Sequence, residues 1–328
     1  MISNKFLVLI SIFILFSCSK PVKDEKITLE GAVFGTTYKI VYLNTSINYQ
    51  KSIDSLFLLM NTSLSTYIPS SDISRINSGD TTVVVDDLFL EVFKKSKRIH
   101  KETNGYFDPT VGNLVNVWGF GPKNEKRNLT ATEIQELMQF VGLDLVKIVD
   151  RQVFKKEAKI YLDFNSIAKG FGIDVVARFL TSKKITNYLI EIGGEIRAKG
   201  TKNNNIPWLI KIVDPTNEGL LQKYKSINLS NRSMATSGNY RKYRFTENGQ
   251  KFVHTINPIT GQALESNLLS ASVIANLDCA DVDAYATAFM AMGLKKSKKF
   301  LQEHPLIDGV LLFIDDDGRL KEYSTINN

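Results

Sequence analysis

From residue 145 onward, short apolar runs and turn residues follow one another so closely that only two helices fit among them. Segments 145–149, 152–154, 159–162, 188–192, 195–199, 207–213, 225–229, 251–256, 269–275 and 309–314 read as strands. Helical spacing interrupts them at 166–182 and at 281–303, the latter with a break near Gly293. Runs of strands with intervening helices, without strict alternation, predict an α+β fold. With 328 residues, 43% of them hydrophobic, the chain can bury a sizeable core in one large domain or two smaller ones.

Upstream, residues 27–43 read as a strand, a glycine-containing turn and a second strand. Apolar positions at helical spacing (Ile53, Leu56, Phe57, Met60, Leu64) predict a helix over 50–64. A second runs over 86–103 from an Asp86–Asp87 cap, and a third over 130–140, where Thr130 and Glu133 form a capping-box pattern. The sequence thus suggests a helical N-terminal half packed on a β-rich C-terminal half.

The first residues differ from the rest. "MISNKFLVLISIFILFSCSK" places Lys5 before a continuous apolar run from Phe6 to Phe16, followed by Ser17 and Cys18. A positive start, an apolar run and a small residue describe an export signal, and the run is too short for a comfortable membrane-spanning helix. "LFSC" resembles the lipobox of bacterial lipoproteins. The expected divisions are a signal peptide at 1–17, a lipidated Cys18 with its tether at 18–26, and one domain at 27–328. Cleavage leaves Cys279 as the one unmodified cysteine, so the mature chain has no intramolecular disulfide and no Cys-based metal site. Loss of Lys5 lowers the net charge from +7 to +6, much of it scattered lysine, as in "KKSK" and "KKSKK". That pattern reads as a solvated surface, and no nucleic-acid partner is expected of an exported protein; attraction to anionic lipid or a phosphorylated ligand remains open.

Five stretches carry candidate chemistry. In "YLDFNSIAKGFGID", residues 161–174, a strand ends in Asp163, Asn165 and Ser166, and an apolar helix bearing Lys169 follows. The free N–H groups of its first turn suit an anion, although Asp163 or Ser166 capping the helix explains the same residues. In "CADVDAYATAFMAMG", residues 279–293, Asp283 and Thr287 are spaced i,i+4 on an alanine-rich helix. A carboxylate and a hydroxyl one turn apart offer hard oxygen donors for Mg²⁺; the alternative is a threonine bonded back to the Asp283 carbonyl. In "NGYFDPTVGNLVNVWGFGP", residues 104–122, Tyr106, Phe107 and Trp118 suit a flat heteroaromatic ligand or a hydrophobic lid packed on the core. "VHTINPITGQAL", residues 253–264, places His254 before a Pro–Thr–Gly turn, one of three histidines beside His100 and His304. In "MATSGNYRKY", Thr236, Ser237 and Gly238 read as a polar turn ahead of Tyr240 and Arg241, a further anion contact. GxGxxG, Walker, HExxH and GxSxG patterns are all missing, which removes support for the commonest nucleotide, metalloprotease and serine-hydrolase readings.

Taken in order, eight segments resemble the ApbE family of bacterial flavin transferases. They are "GTTY" (35–38), "LSTYIPSSDISRIN" (64–77), "GYFDPTVGNLVNVWGFG" (105–121), "LDFNSIAKGFGID" (162–174), "YLIEIGGEIRAKG" (188–200), "MATSGNY" (234–240), "HTINPITG" (254–261) and "ADVDAYATAFMAMG" (280–293). The resemblance implies an ApbE-like fold of mixed, largely antiparallel sheets with packed helices. It implies FAD:protein FMN transfer: FAD, as substrate, is split at its pyrophosphate, FMN moves to a Ser or Thr hydroxyl of an acceptor flavoprotein, and AMP leaves. By motif position, Mg²⁺ would be held by Asp283, Thr287 and the backbone carbonyl of Ser166. FAD contacts would fall on Phe34, Tyr67, Tyr106, Phe107, Asp108, Asp163, Lys169 and Thr255, and His254 would be the base for the acceptor hydroxyl. This chain has Phe34 where the family often has Met, Asn165 where Gly or Ser is usual, and "HTINP" in place of the commoner "HIIDP".

Two rival readings share these residues: an Mg²⁺-dependent FAD pyrophosphatase, in which water replaces the hydroxyl, and an exported flavin-binding lipoprotein. The expected location is the cell envelope, on the periplasmic side, with Cys18 carrying the membrane anchor. Replacing the anchor tests that placement: Cys18→Ser should leave an uncut precursor that takes up no radiolabelled palmitate, and label entering this variant would refute the lipobox.

Overall fold

A computed structural model describes residues 25–216, 222–239, 243–245, 249, 251–263 and 265–326. The segment expected to be an export signal, Cys18, Tyr240 and Arg241 lie outside the described residues. In chain order the elements are β1 (Lys26–Val33), β2 (Thr36–Leu43), α1 (Gln50–Leu64), α2 (Asp72–Asn77), α3 (Asp87–Glu102), α4 (Gly112–Val117), α5 (Ala131–Met138), β3 (Val146–Val149) and β4 (Gln152–Lys155). Then come α6 (Ala168–Ser182), β5 (Tyr188–Ile192), β6 (Glu195–Lys199), β7 (Trp208–Val213), β8 (Lys223–Leu229), β9 (Arg232–Gly238), β10 (Tyr243–Phe245), β11 (Lys251–Val253), β12 (Leu268–Ala275), α7 (Cys279–Glu303), β13 (Ile307–Ile314) and β14 (Leu320–Ser324).

Among the described residues, eight strands form one sheet in the order β1-β2-β5-β6-β9-β12-β13-β14, and each neighbouring pair is antiparallel. The α+β expectation holds, but the chain does not divide into a helical half and a β half. β1 and β2 begin the same sheet that the C-terminal strands complete, because β2 pairs with β5 across more than a hundred residues. Strand β2 shows why: Ile40 and Tyr42 point into the core under the helices, while Val41 and Leu43 point into the core on the other face. A strand buried on both faces needs partners on both edges. Helices α1, α3, α6 and α7 cover the first face, and the β7–β8 hairpin covers the second through Trp208, Ile210 and Ile212.

Local signals placed most elements. Asp86 caps α3 by accepting from Phe89 N at 2.8 Å, and Thr130 and Glu133 form the expected capping box on α5. Gly293, at φ 73 and ψ 175, breaks α7 where the sequence suggested. Segment 159–162 is not a strand. Its one bridge is Tyr161 to Val111, and the Asn77 side chain takes the backbone of Leu162, accepting its N–H at 2.8 Å and donating to its carbonyl at 2.8 Å. A side-chain amide thus does the work of a neighbouring strand. Conversely, Thr236, Ser237 and Gly238 lie within β9, paired to β12, and not in a turn. Strand β11 ends at Val253, short of the expected 256, because the turn that follows is organised by Asn257.

Two contacts fix α7 against α6. Asp174 of α6 accepts from Cys279 N at 2.8 Å and Ala280 N at 2.9 Å, so one helix supplies the N-terminal cap of the other. Burial, with the nearby Asp278 carboxylate, pushes Asp174 up to about 6 against the pull of Arg197. Arg197 of β6 bonds both Asp174 and Asp278, and Lys95 of α3 bonds Asp278 at 2.8 Å. Burial opposes the charge on Asp278, yet those two cations outweigh it and hold its carboxyl at about 2. The second contact is steric. A Cβ on Gly170 would lie 2.3 Å from the Cys279 carbonyl oxygen, so only glycine lets the two backbones meet here. Cys279 itself is buried, its thiol directed at the Ile196 carbonyl at 3.5 Å.

Gly170→Ala must push α6 and α7 apart. Overpacking of this kind costs about 1–3 kcal/mol, and urea denaturation should show a loss of that order; unchanged stability would mean that the helices separate freely.

Candidate active site

The floor of the site is the crossing of α6 and α7. Asp283 Oδ2 accepts from Gly170 N at 3.0 Å, which satisfies one of the free donors in the first turn of α6. The N-cap residue of α6 is Ile167, which makes no side-chain cap bond, so the capping role considered for Asp163 or Ser166 is not used. Lys169 projects alongside, its ammonium 3.9 Å from Asp283 Oδ1 and 3.2 Å from Glu195 Oε1. Burial pushes the Asp283 carboxyl up, and Lys169 and the Gly170 N–H pull it back. Burial also carries Glu195 up to about 7, opposed by Lys169 and reinforced by the Asp283 carboxylate. One turn beyond Asp283, the Thr287 hydroxyl meets Ser237 Oγ of β9 at 3.4 Å.

Glu195 reaches this place through the β5–β6 turn. Gly193 and Gly194 both have positive φ, 63° and 105°, and join Ile192 to Glu195 in a two-residue hairpin. At Gly193 a Cβ would stand 2.8 Å from Thr36 and 3.3 Å from the Lys169 stem. Bare backbone is therefore needed where the turn passes the lysine.

Segment 104–122, which contains α4, forms one wall. His100 Nδ1 lies 2.9 Å from the Phe107 carbonyl, bracing the loop from α3. The Asp108 carboxylate is turned to structural work: it accepts from Thr110 N at 2.8 Å, Thr110 Oγ1 at 2.6 Å and Leu143 N at 3.1 Å. Tyr106 bonds Lys296 through its hydroxyl, and the same ammonium sits 4.5 Å over its ring. Asp163 accepts from Asn165 N at 2.8 Å, shaping the entry to α6. The opposite wall is the turn after β11. Asn257 accepts from Ile259 N at 2.9 Å and reaches the Ala291 carbonyl of α7 at 3.2 Å, so the turn that carries His254 and Thr255 is tied to α7.

These walls enclose a cavity of about 540 Å³. Tyr67, Tyr106, Phe107, Asp108, Asp163, Ser166, Lys169, His254, Thr255, Asp283 and Thr287 all line it, which brings together every site residue that the motif positions implied except Phe34. Phe34 occupies a β1–β2 turn position at φ 51, and its ring packs edge-on to Phe57, 5.6 Å between centroids, and against Gly172. Its neighbours Gly35 and Thr36 line the cavity instead. Trp118 also lies elsewhere. It is buried against Phe252, 4.6 Å between centroids, and donates to the Gly261 carbonyl at 2.9 Å. Trp118 is thus a strut between the aromatic loop and the His254 turn, while Phe120 takes the cavity face. Sequence reasoning passed over Glu195; the signal available was an acidic residue opening a buried strand directly after two glycines.

Among the described residues no group of three or more His, Cys, Asp and Glu side chains is placed to hold a metal. The donors at hand are the Asp283 carboxylate, the Thr287 hydroxyl and the Ser166 carbonyl. One carboxylate with neutral oxygens fits Mg²⁺, which completes its shell with water and substrate phosphates.

Comparison with known proteins gives the family and the fold. The family model described as "ApbE family" matches residues 34–311. A Vibrio cholerae protein named FAD:protein FMN transferase is 34% identical over 331 residues, covering 98% of this chain and 97% of its own length. A Haemophilus influenzae protein of the same name is 36% identical over 318 residues, with 93% and 90% covered. Among solved structures, the flavin transferase ApbE from Vibrio cholerae superposes with a TM-score of 0.81 at 33% identity, covering 92% of this chain and 97% of that one. The apo form of the Pseudomonas stutzeri flavinyl transferase ApbE gives 0.82 at 28% identity, with 92% and 95% covered.

The strut invites a direct check. Trp118→Phe keeps most of the ring contact with Phe252 but leaves the buried Gly261 carbonyl without its donor, a change worth about 1–3 kcal/mol. Thermal and urea unfolding should register that loss, and FAD turnover should fall because His254 rides on the same turn.

Proposed function

The chain belongs to the ApbE family, and on that premise we propose that it is an FAD:protein FMN transferase that works by Mg²⁺-assisted phosphoryl transfer onto a Ser or Thr hydroxyl of an acceptor flavoprotein. One observation carries this reading: a carboxylate, a hydroxyl, an ammonium and an imidazole, drawn from α6, α7 and the turn after β11, line a single cavity together with aromatic side chains.

The chemistry is an in-line exchange of two P–O bonds. The acceptor hydroxyl oxygen bonds to the phosphorus of the FMN half while the bond from that phosphorus to the bridging oxygen breaks. AMP leaves with the bridging oxygen, and the hydroxyl proton passes to His254. Positioning and charge neutralisation supply most of the catalysis in such transfers. Mg²⁺ held by Asp283, Thr287 and the Ser166 carbonyl would neutralise the pyrophosphate and the departing AMP. Lys169 adds a fixed positive charge at the same end of the cavity. Tyr67, Tyr106, Phe107 and Thr255 shape the flavin and adenine contacts, with Asp163 setting the backbone at the entry to α6. Asp108 acts through its hold on the loop. The acceptor approaches from the His254 side. An export signal and a lipid at Cys18 would hold the enzyme at the periplasmic face of a membrane, where its acceptor is exposed.

Incubation with FAD, Mg²⁺ and a candidate acceptor, followed by mass spectrometry for an FMN adduct, tests the activity. Asp283→Ala should abolish Mg²⁺-dependent FAD cleavage while leaving ring-mediated FAD binding; normal turnover at low Mg²⁺ would refute the metal assignment.

His254→Ala should lose transfer by ~10²–10⁴-fold, the contribution of a positioned base, with little change in FAD affinity. Weakened binding with an unchanged single-turnover rate would reduce His254 to a structural role.

A further inference from the structure

Lys169 stands between two carboxylates at unequal distances. Its ammonium is 3.2 Å from Glu195 Oε1 and 3.9 Å from Asp283 Oδ1. The second oxygen of Asp283 is already engaged by Gly170 N, so Oδ1 is the oxygen that faces the ammonium. An ammonium that settled on Oδ1 would compete directly with a metal ion, and once a divalent ion is bound there the two cations repel. Glu195 is placed to prevent this. Its carboxylate is buried at the cavity wall, fixed by the glycine turn, and its Oε2 has no hydrogen-bond partner among the described residues. Glu195 therefore has unused acceptor capacity beside the lysine. Such a buried unsatisfied oxygen is costly and persists in a native fold where it serves a purpose.

We infer that Glu195 is a positioning residue for the metal site: it draws the Lys169 ammonium away from Asp283 and leaves Asp283 Oδ1 open to a divalent cation. This rests on the assignment of Asp283 as a metal ligand given above. Lys169 then points its charge toward the pyrophosphate from the Glu195 side, and the metal does so from the Asp283 side. The two positive charges are held apart by two separate carboxylates, and the site need not lose one charge to gain the other.

The test is a double-mutant cycle read by metal binding. Mn²⁺ serves as the probe, since it takes the same oxygen donors as Mg²⁺ and its free-ion electron-spin resonance signal reports binding without turnover. AMP is held at a fixed concentration throughout. Glu195→Gln keeps the side-chain volume and should weaken Mn²⁺ binding about tenfold, the order expected for one lost charge pairing in a shielded site. Lys169→Gln should bind Mn²⁺ at least as tightly as the parent. The double variant Glu195→Gln/Lys169→Gln should bind as Lys169→Gln does, because without the lysine there is nothing to draw aside. An equal loss in both backgrounds would overturn the proposal, since Glu195 would then act on the ion or the fold directly; so would unaltered binding in Glu195→Gln. Asp283→Asn separates the two levels. If it loses the ion while Glu195→Gln keeps it, only the role of Glu195 falls; if Asp283→Asn binds normally, the metal assignment falls and the proposal with it.

Discussion

Two helices meet backbone to backbone at Gly170, and the site exists because they do. The Gly170 N–H reaches Asp283 across that contact, so α7 supplies the carboxylate and α6 fixes its orientation. The alanines of α7 extend the same principle: Ala280, Ala284 and Ala288 are fully buried, and their short side chains let the helix lie close to α6 and the sheet. A larger residue along this seam would move Asp283 relative to Lys169, Ser166 and Ser237 together. The charged cluster of Asp174, Arg197, Asp278 and Lys95 then locks the seam at its N-terminal end. Buried ion pairs are weak evidence of stability, but a network that caps a helix and joins α3, α6, β6 and α7 specifies one arrangement.

Charge and shape are divided between the two ends of the cavity. At the helix crossing stand Asp283, Glu195 and Lys169, two acids and one base, with the neutral hydroxyls of Thr287 and Ser237. At the other end the groups are aromatic or belong to tight turns. Such a layout suits a ligand with a polyanionic middle and flat heterocyclic ends. The supports lie one layer out: His100 behind Phe107, Trp118 behind the His254 turn, and Asn257 between that turn and α7. None of the three needs to touch a ligand, and each ties a mobile class of structure, the loop, to a helix or a packed core.

Much of this was legible before any coordinates. Capping residues marked α3 and α5, Gly293 marked the break in α7, and the i,i+4 pair of Asp283 and Thr287 shares a helical face as its spacing requires. What escaped was non-local. Segment 159–162 has the composition of a strand, but the Leu162 backbone pairs with an asparagine side chain 85 residues away, which no local pattern records. Thr236 to Gly238 looked like a turn because its residues are small and polar; the sheet holds them because they pair with β12, Thr236 bonding Ser272 and Ser237 meeting Thr287 of α7. The motif implied a ligand contact for Phe34, whose ring packs on Phe57, and of the two roles open to Trp118 its burial against Phe252 takes the packing one. Glu195 was missed because a single acid on a strand reads as surface unless its burial is known.

Cys279 sits at the first position of α7, wholly buried beneath the Asp174 cap. Burial, joined by the surrounding carboxylates, drives its thiol well above the usual range, so the reactive thiolate is suppressed as long as the seam is closed. The chain thereby carries its own clock for opening. A thiol reagent can label this position only during the excursions in which α7 parts from α6 and the sheet, and the labelling rate then measures the free energy of that separation in the unmodified protein.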